Sequence, residues 1–475
     1  MTVSIAPQAT TKNIKKSAPS ITIEQLQKYD VPGPRYTSYP TADRFVEAFT
    51  EANYIQALDQ RRATGRGQPL SIYIHIPFCE SLCFYCACNK IITKHHERGA
   101  EYLRYLSREI DLHVAHLGVD QALSQLHLGG GSPTFLSDDE LSELMAMIKR
   151  SFSLMPGGEY SIEIDPRTVD EARLKHLAEL GFNRVSFGVQ DFDFEVQKAV
   201  HRIQPVEQVF DLTRFAREQR FQSVNVDLIY GLPKQTPESF ATTLQQVVEL
   251  RPERIALYAY AHLPERFKPQ RRISQYELPS AAAKISMLSA AINVFIEAGY
   301  VYIGMDHFAL PTDSLAIAKQ RGNLHRNFQG YSTQPDTDLI GLGVSSIGRI
   351  GASYSQNAKN LDEYYDSLNQ GRFPVTRGLA VSRDDLIRRA VIMAIMCHGE
   401  LQFESIELSY MIDFKDYFSH ELKLLVEKQE MGMLVMENDG FKVTETGWFF
   451  IRAIAMVFDK YIQMDANRAR FSKII

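Results

Sequence analysis

Cysteine is scarce in this sequence, with five residues in 475. A chain of this length stapled by disulfides would need many more, so a disulfide scaffold is excluded. No run of 18 or more apolar residues is present, which leaves no candidate membrane span. The 52 Lys and Arg residues nearly balance the 57 Asp and Glu residues, for a net charge of -5. Nucleic acid is therefore not the expected partner.

The first 23 residues lack acidic residues, arginine and the apolar core of a signal peptide. We expect a disordered tail on a cytoplasmic protein, with a plastid transit peptide as the open alternative. No long heptad pattern predicts a coiled coil, and we expect a monomer.

The chain does contain a regular alternation of strand-like and helix-like segments. Six short apolar runs rich in β-branched or aromatic residues predict strands at Ile72–Ile76, Gln125–Leu128, Tyr160–Ile164, Arg184–Gly188, Val224–Ile229 and Ile255–Tyr260. Amphipathic segments between them, such as Ala100–Leu117 and Pro237–Leu250, predict helices. This alternation predicts an α/β fold with a parallel sheet and right-handed crossovers. A (β/α)6 partial TIM-type barrel is favoured over an open doubly wound sheet.

Three domains are expected from this pattern. Residues 1–48 form a tail and an extended arm, since Asp30–Phe45 contains three prolines and two tyrosines that either pack across the body or line a site entrance. Residues 49–375 form the barrel. Residues 376–475 are mostly helical, with two strands expected around Asp439-Gly440, which resembles a helical or winged-helix domain. The region 376–475 has no basic face for binding DNA, so we interpret it as a lid that packs over the barrel.

Polar residues lie at the carboxyl ends of the predicted strands, where parallel sheets collect ligands. A cysteine loop follows the first strand and the turn Gly129–Thr134 follows the second. Glu163 and Asp165 end the third, Gln190 follows the fourth, and Asp227 lies late in the fifth. The sequence therefore predicts one site at this end of the barrel.

Four of the cysteines lie within ten residues, in the segment Cys79-Glu-Ser-Leu-Cys83-Phe-Tyr-Cys86-Ala-Cys88. Structural zinc sites normally use two separated knuckles or add histidines. Three thiolates on one loop instead suit three corners of a [4Fe–4S] cluster and leave the fourth iron open. Cys88 is a possible fourth ligand, but adjacent extended side chains point apart, so we expect it beside the cluster as a non-ligand. Cys397 is expected to be a buried structural thiol.

The CxxxCxxC spacing with an aromatic residue before the third cysteine resembles the radical S-adenosylmethionine (SAM) superfamily. The resemblance implies a (β/α)6 partial barrel in which SAM chelates the open iron. Electron transfer from the cluster then cleaves SAM to methionine and a 5′-deoxyadenosyl radical. The glycine turn, which alone predicts only a tight turn, resembles the motif that contacts the amino group of SAM. Arg202 would suit the SAM carboxylate through its planar fork.

Longer motifs resemble one branch, the oxygen-independent coproporphyrinogen III oxidase family, over nearly the whole chain. These motifs are Pro34–Pro40, Tyr73–Cys79, Cys88–Lys90, His127–Thr134, Gly188–Asp191, Asp227–Thr236, Tyr260–Pro264, Gly304–Phe308, His325–Gly330 and Phe471–Ile475. The resemblance implies that two propionates of coproporphyrinogen III become vinyls, giving protoporphyrinogen IX, two CO2, two methionine and two 5′-deoxyadenosine without O2. It also implies two bound SAM molecules and an unidentified electron donor such as flavodoxin or ferredoxin.

The resemblance also assigns residues by matching position. Cys79, Cys83 and Cys86 correspond to the cluster ligands. The positions that correspond to SAM contacts are Tyr73, Tyr85, Gly130, Gly131, Ser132, Glu163, Gln190, Arg202, Asp227, Ala261 and Ile347. The positions associated with activity are Cys88, Phe328 and Gln329.

A tetracarboxylate substrate needs cationic partners. The candidates are Arg202, Arg266, Lys268, Arg271, Arg272 and Arg326. For the segment between Arg266 and Arg272, a solvated loop is the alternative interpretation.

Two other functions stay open at this point. A heme-trafficking relative of the same superfamily would keep the three cluster cysteines but carry an aromatic residue at the Cys88 position. The tripeptide Cys88-Asn89-Lys90 and the tyrosine-bearing arm favour the enzyme. A zinc-stabilised binding module would catalyse nothing.

Overall fold

The computed structural model describes residue 28 and residues 32–65 and 67–464 of the chain. The tail expected at residues 1–23 and the motif Phe471–Ile475 lie outside the described residues. Among the residues it describes, no helix combines the length and the apolar character that crossing a membrane requires.

Six parallel strands form the centre of the fold. The first strands along the chain are β1 (Leu70–Ile76), β2 (Phe78–Cys79), β3 (Ile91–Ile92), β4 (Gln121–Gly130), β5 (Phe152–Ile164), β6 (Arg184–Gln190), β7 (Ser223–Tyr230) and β8 (Arg254–Ala259). Strands β1 and β4 to β8 pair side by side in parallel and in chain order. The six predicted apolar runs coincide with these strands apart from their ends. The predicted α/β fold with a parallel sheet is therefore confirmed.

Alternation along each strand separates an apolar set from a polar set. In β6, Val185 and Phe187 are buried in the main core, whereas Ser186, Gly188 and Gln190 line a cavity at the carboxyl end of the barrel. The same period of two in β7 gives the cavity its Asp227. The strand sequence thus positions the polar side chains of the site.

Further strands widen the sheet at both edges. They are β9 (Val301–Gly304), β10 (His307–Ala309), β13 (Asp338–Leu342), β14 (Ile347–Ile350), β15 (Ser353–Asn357) and β16 (Val375–Ala380). Between them, β11 (His325–Asn327) and β12 (Gly330–Ser332) form a separate two-stranded antiparallel sheet. Strand β13 pairs in parallel with β1 and leads into antiparallel β14, β15 and β16. The open twelve-stranded order is β16-β15-β14-β13-β1-β4-β5-β6-β7-β8-β10-β9.

Helices cover the outer face of the sheet. They are α1 (Glu51–Thr64), α2 (Glu97–Leu117), α3 (Asp138–Ser151), α4 (Glu171–Leu180), α5 (Phe194–Ala199), α6 (Val206–Glu218), α7 (Pro237–Leu250), α8 (Ala281–Glu297), α9 (Ser314–Gln320) and α10 (Leu361–Asn369). Helix α7 begins and ends where the sequence predicts, because Thr236 caps its first turn and Pro237 occupies the first helical position. Helix α2 begins three residues before the predicted start.

The C-terminal region is mostly helical, as predicted. Its elements are α11 (Arg383–His398), β17 (Glu400–Gln402), α12 (Phe403–Tyr410), α13 (Phe414–Tyr417), α14 (Ser419–Glu430), β18 (Leu434–Glu437), β19 (Gly440–Val443), α15 (Glu445–Phe449), α16 (Ile451–Ala455) and α17 (Lys460–Met464). The strands on either side of Asp439-Gly440 are confirmed, and β17 joins them in a small antiparallel sheet. Because the large sheet extends to Ala380, we propose a domain boundary at residues 381–382.

The N-terminal arm packs between the barrel and the C-terminal region. Tyr36 and Tyr39 are fully buried in the core of the C-terminal region, and the Tyr36 hydroxyl donates to Asp459 Oδ2 at 2.9 Å. Arg35 forms an ion pair with Asp306 at 2.5 Å, which ties the same arm to the barrel. Of the two interpretations of these tyrosines, the structure shows packing across the body.

Candidate active site

A short parallel strand pair fixes both ends of the cysteine loop. Phe78 in β2 pairs with Ile91 in β3, and Cys79 pairs with Ile92. The Thr93 amide also donates to the Cys79 carbonyl at 2.9 Å. The loop therefore closes on itself directly after β1, at the carboxyl end of the barrel.

The cysteine loop forms one wall of a cavity of about 480 Å³, which we call the cluster cavity. Twelve of the predicted site residues line it, namely Cys79, Cys83, Tyr85, Cys86, Cys88, Gly130, Gly131, Ser132, Glu163, Gln190, Arg202 and Asp227. They come from the loop and from the carboxyl ends of successive strands or the segments after them. The structure thus brings together residues that the sequence spreads over 149 positions.

The donor set of this cavity suits an iron–sulfur cluster, because it includes three cysteine thiols. In the described parts of the chain, no three His, Cys, Asp or Glu side chains are arranged to hold one metal ion. A cubane cluster spreads its cysteine ligands, because each thiolate binds a different iron. Cys79, Cys83 and Cys86 line one cavity in this manner.

Two arginines and a carboxylate lie against the Cys83 thiol. Arg202 Nη1 is 3.5 Å from Cys83 Sγ and 3.1 Å from Asp165 Oδ2. Arg167 Nη2 is 3.7 Å from Cys83 Sγ and 2.7 Å from Asp165 Oδ2. Burial raises the pKa of Asp165, but the two arginines outweigh burial and lower it overall. Two positive charges and one negative charge therefore lie around the Cys83 side chain.

The guanidinium of Arg202 is largely engaged within the protein. Its Nε and Nη2 donate to the Gly188 carbonyl at 3.2 Å and 2.6 Å, and Nη1 contacts Asp165 and Cys83. A guanidinium has five N–H groups, so these four contacts leave one N–H of Nη2 for a ligand. Arg202 thus offers one donor and a positive charge, whereas the sequence analysis expected a free planar fork.

The thiols of Cys86 and Cys88 are hydrogen-bonded to each other. This bond is the main reason that the pKa of Cys86 falls to about 6 and that the pKa of Cys88 rises well above its ordinary value. Lys90 Nζ donates to the carbonyls of Cys86 and Cys88 at 3.2 Å and 3.3 Å. The expectation that these two side chains point apart is wrong, because residues two apart along an extended segment share a face. The non-ligand role of Cys88 stays a prediction.

The glycine turn packs directly on the cysteine loop. The Ser132 amide donates to the Phe78 carbonyl at 2.9 Å. A Cβ on Gly131 would lie 2.7 Å from that same carbonyl oxygen, and Gly130 has a φ of 116° with its Cβ position 2.7 Å from the His75 ring. Side chains are excluded at both positions. The backbone of the turn is therefore exposed to the cavity.

Glu163 connects the glycine turn to an aromatic pair. Its Oε2 accepts from the Gly130 amide at 3.3 Å, and its Oε1 lies 3.2 Å from His127 Nε2. The His127 ring stacks on Tyr73 with centroids 5.8 Å apart. Burial raises the pKa of Glu163, but the hydrogen bonds and charges of His127, the Gly130 amide and His75 together outweigh burial and the net shift is downward. Glu163 is thus an anionic group at the centre of the site.

Two further strand ends supply Gln190 and Asp227. Gln190 adopts a φ of 69°, a left-handed conformation that is unfavourable for a non-glycine residue and is common at ligand sites. Asp227 accepts from Ser186 Oγ at 3.1 Å and from Asn225 Nδ2 at 2.9 Å. Burial and the charge of Glu163 raise the pKa of Asp227 to about 6.

A second cavity of about 340 Å³ adjoins the first. It is lined by the predicted residues Tyr73, Cys88, Gly130, Glu163, Phe328, Gln329 and Ile347. Cys88, Gly130 and Glu163 line both cavities, so the two spaces share a wall. Gln329 Nε2 donates to the Ile72 carbonyl at 3.1 Å, whereas its buried Oε1 has no partner among the described residues. That unsatisfied acceptor marks a place for a ligand donor.

Ala261 is the one position assigned by resemblance to the cluster, SAM or activity that lines neither cavity. Gln270 Nε2 donates both to the Ala261 carbonyl at 3.2 Å and to the Tyr85 carbonyl at 3.0 Å, so Ala261 lies just behind the loop. Arg167 and His127 contact site residues but were not assigned roles from the sequence. Their positions could have indicated a role, because His127 lies near the end of strand β4 and Arg167 lies just after the end of β5.

A buried carboxylate supports the wall of the second cavity. Glu109 in α2 accepts from the Gly343 amide at 2.8 Å, from Asn357 Nδ2 at 2.6 Å and from the Tyr364 hydroxyl at 2.6 Å. Gly343 directly precedes the segment that supplies Ser345 and Ile347 to this cavity. Burial raises the pKa of Glu109 from its ordinary 4.5 to about 7.

We expect Glu109 to make folding stability pH-dependent. Because its pKa is raised in the folded protein, protonation favours folding, and this contribution is lost as the pH rises from about 4.5 through about 7. Between pH 5 and pH 8, wild type should lose roughly 2–3 kcal/mol of unfolding free energy relative to Glu109→Gln. Urea unfolding at several pH values measures this difference. Asp111→Asn, at an exposed position of the same helix, should follow wild type; equal slopes for all three proteins would contradict the prediction.

Comparisons with known proteins agree with this geometry. Residues 73–247 match the family model described as radical SAM superfamily, and residues 381–450 match the model described as HemN C-terminal domain. The cysteine loop on a parallel barrel and this match assign the larger unit to the radical SAM class.

Curated relatives resemble nearly the whole chain. An oxygen-independent coproporphyrinogen III oxidase of Pseudomonas aeruginosa is 50% identical over 95% of this chain and 98% of its own. That of Escherichia coli is 47% identical over 95% and 97%. The solved structure of coproporphyrinogen III oxidase (HemN) from Escherichia coli, a radical SAM enzyme, superposes with a TM-score of 0.86 at 46% identity, covering 91% of this chain and 100% of that one. The chain belongs to the oxygen-independent coproporphyrinogen III oxidase family.

Proposed function

We propose that this chain is an oxidoreductase of porphyrin and heme biosynthesis that converts coproporphyrinogen III to protoporphyrinogen IX without O2. Two propionates each lose CO2 and become vinyls, and two SAM molecules become two methionine and two 5′-deoxyadenosine. The observation that carries this proposal is the set of three cysteines on one loop, facing a glycine turn and strand-end polar groups in a single cavity. The relatives named for this activity match over the same length.

The radical SAM class implies a [4Fe–4S] cluster and SAM as cofactors. When bound, these cofactors supply a one-electron cleavage of SAM that removes a hydrogen atom from an unactivated carbon. The residues of this chain hold and orient them. We assign Cys79, Cys83 and Cys86 to the cluster, whose fourth iron stays open for a ligand.

We assign the remaining polar groups of the cluster cavity to SAM. The exposed backbone of Gly130 and Gly131 can receive its amino group, and Glu163 gives that cationic amine a negative partner. Asp227 lies in the same cavity with an accepting oxygen for a hydroxyl. Arg202 supplies one N–H and a positive charge for the carboxylate.

The paired cavities support the binding of two SAM molecules. Volumes of about 480 Å³ and 340 Å³ each suit a small ligand, and the shared residues Cys88, Gly130 and Glu163 would lie between the occupants. Tyr73 and Ile347 line only the second of these two cavities. Phe328 and Gln329 line that cavity as well, and we assign them to activity through contact with substrate or cofactor.

The reaction needs a reductant from outside the chain, for which we propose a flavodoxin or ferredoxin. We place the reaction in the cytoplasm, where clustered thiols stay reduced.

Product analysis with anaerobically reconstituted protein tests the function. Coproporphyrinogen III, SAM and a reductant should yield protoporphyrinogen IX, with two 5′-deoxyadenosines for each doubly decarboxylated tetrapyrrole. Iron, sulfide and zinc analysis of the same protein separates the enzyme from a zinc-stabilised module. Tight heme binding without turnover would instead support the heme-trafficking alternative.

Replacing Cys88 with Ala should leave the cluster intact and abolish turnover. The physical reason is that Cys88 lines both cavities and hydrogen-bonds the Cys86 thiol without occupying a ligand position. Iron and sulfide content, the visible spectrum and protoporphyrinogen yield measure the two effects separately. A variant without cluster would show that Cys88 is a ligand, and a fully active variant would remove its assigned role.

A further inference from the structure

A basic segment lies beside the cysteine loop at the carboxyl end of the barrel. Residues 264–272, which we call the basic segment, carry four exposed cations, Arg266, Lys268, Arg271 and Arg272, against the single carboxylate Glu265. Its second half is a 3₁₀ turn over Lys268–Arg272. The turn presents its cations to solvent, so the segment has a strongly positive surface.

The basic segment touches the cysteine loop directly. Gln270 Nε2 donates to the Tyr85 carbonyl at 3.0 Å, and the Arg272 guanidinium lies 5.1 Å from the centre of the Phe84 ring. Phe84 follows Cys83 in the chain. A single aromatic side chain therefore separates a surface cation from a proposed cluster ligand.

The basic segment covers the outer side of the loop and leaves the inner side to the ligands. Phe84 and Tyr85 pack against a small apolar cluster that includes Val200, Tyr260 and Ile273, the residue that follows the segment. The residues that line the two cavities do not include any of the four cations. The four cations are thus outside the walls of the space where SAM and substrate would bind.

Phe84 itself is held in one position. Its amide donates to the Val200 carbonyl at 2.9 Å, and its ring stacks on His201 at 5.1 Å with an interplanar angle of 8°. His201 Nδ1 in turn lies 2.9 Å from the Leu82 carbonyl. The surface next to the proposed cluster is therefore rigid, which suits repeated contact with a protein partner.

We propose that the basic segment is the docking surface for a small acidic one-electron carrier protein that reduces the cluster. This inference rests on the proposed function, since that function needs electrons from outside. One electron leaves the reduced flavin or iron–sulfur centre of the carrier and enters the cluster, and no bond forms or breaks. Complementary charge raises the rate of encounter and fixes its orientation, while the short path through Phe84 places the carrier close to Cys83.

The test uses cluster-loaded protein and a flavodoxin as the acidic probe. In Arg271→Glu/Arg272→Glu, the Kd for oxidised flavodoxin at low ionic strength should rise at least tenfold, and the difference should shrink with added salt. Arg271→Lys/Arg272→Lys keeps the charge and should bind like wild type. Lys415→Glu/Lys423→Glu removes the same number of cations from exposed positions of the C-terminal region and serves as the matched control.

Reduction kinetics separate docking from chemistry. Flavodoxin hydroquinone should reduce the cluster of the Glu variant at least tenfold more slowly than that of wild type, whereas dithionite should reduce both equally. Equal flavodoxin Kd values and rates in all variants would overturn the proposal. An unchanged flavodoxin Kd with a raised KM for coproporphyrinogen III under dithionite would also overturn it and assign the segment to substrate. Failure of the proposed function is distinct, because wild type would then form no protoporphyrinogen IX with dithionite.

Discussion

Cys83→Ala will yield a folded protein that assembles no [4Fe–4S] cluster and forms no protoporphyrinogen IX. The cluster needs one cysteine thiolate for each of three irons. Without Cys83 the proposed ligand set has only two cysteines, so one of these irons lacks its protein ligand. The two arginines beside Cys83 would then face a methyl group in place of a thiolate. Iron and sulfide content after anaerobic reconstitution, followed by product analysis, measures both effects. Cys79→Ala and Cys86→Ala should behave in the same way.

The matched control for this result is Cys397→Ala. Cys397 is buried in the core of the C-terminal region, away from the cysteine loop in sequence and in packing. Its replacement should cost roughly 1 kcal/mol of stability through a small cavity and should keep full iron and sulfide content. Cluster assembly in Cys83→Ala, or its loss in Cys397→Ala, would contradict the ligand assignment.

Arg202→Ala should weaken SAM binding by roughly 2–5 kcal/mol, because the carboxylate of SAM loses a buried cationic partner. The structure adds a second reason. Arg202 also holds Asp165 and the Gly188 carbonyl, so its removal leaves Asp165 paired with Arg167 alone and less well neutralised near the carboxylate of SAM. Titration of SAM into cluster-loaded protein measures the change in affinity.

Arg167→Ala is the informative comparison for Arg202. Arg167 contacts the same Asp165 and the same Cys83 thiol but makes no bond to Gly188 O. If Arg202 binds SAM directly, its replacement should weaken SAM more than that of Arg167. Equal losses of SAM affinity in the two variants would show that Arg202 acts only through its charge. Unchanged SAM affinity in Arg202→Ala would refute its assignment to SAM.

The barrel and the convergence of its strand ends could be predicted from local sequence. Short apolar runs with a period of two mark the six parallel strands, and a parallel sheet brings their carboxyl ends to one edge. The edge strands β13 to β16 could not be predicted in this way. Their pairing with β1 and with one another joins segments more than 250 residues from β1, and no local pattern fixes such a partner.

The chemistry of single residues was less predictable than their location. Arg202 was expected to present a free fork, but Gly188 O and Asp165 take most of its donors. Cys88 was expected to point away from Cys86, but the two thiols interact, since residues two apart along an extended segment share a face. Both outcomes depend on hydrogen bonds between neighbours in space, which the spacing of residue types does not encode.

The buried position of Tyr36 and Tyr39 has a consequence for how the chain is made. Both rings complete a core whose other buried members lie between Ile285 and Ile462, so this early segment has none of these partners until the chain has been synthesised as far as Ile285. Domains generally fold as they leave the ribosome. Here the core around Tyr36 and Tyr39 is complete only after α17 has been synthesised, so the arm docks late in folding.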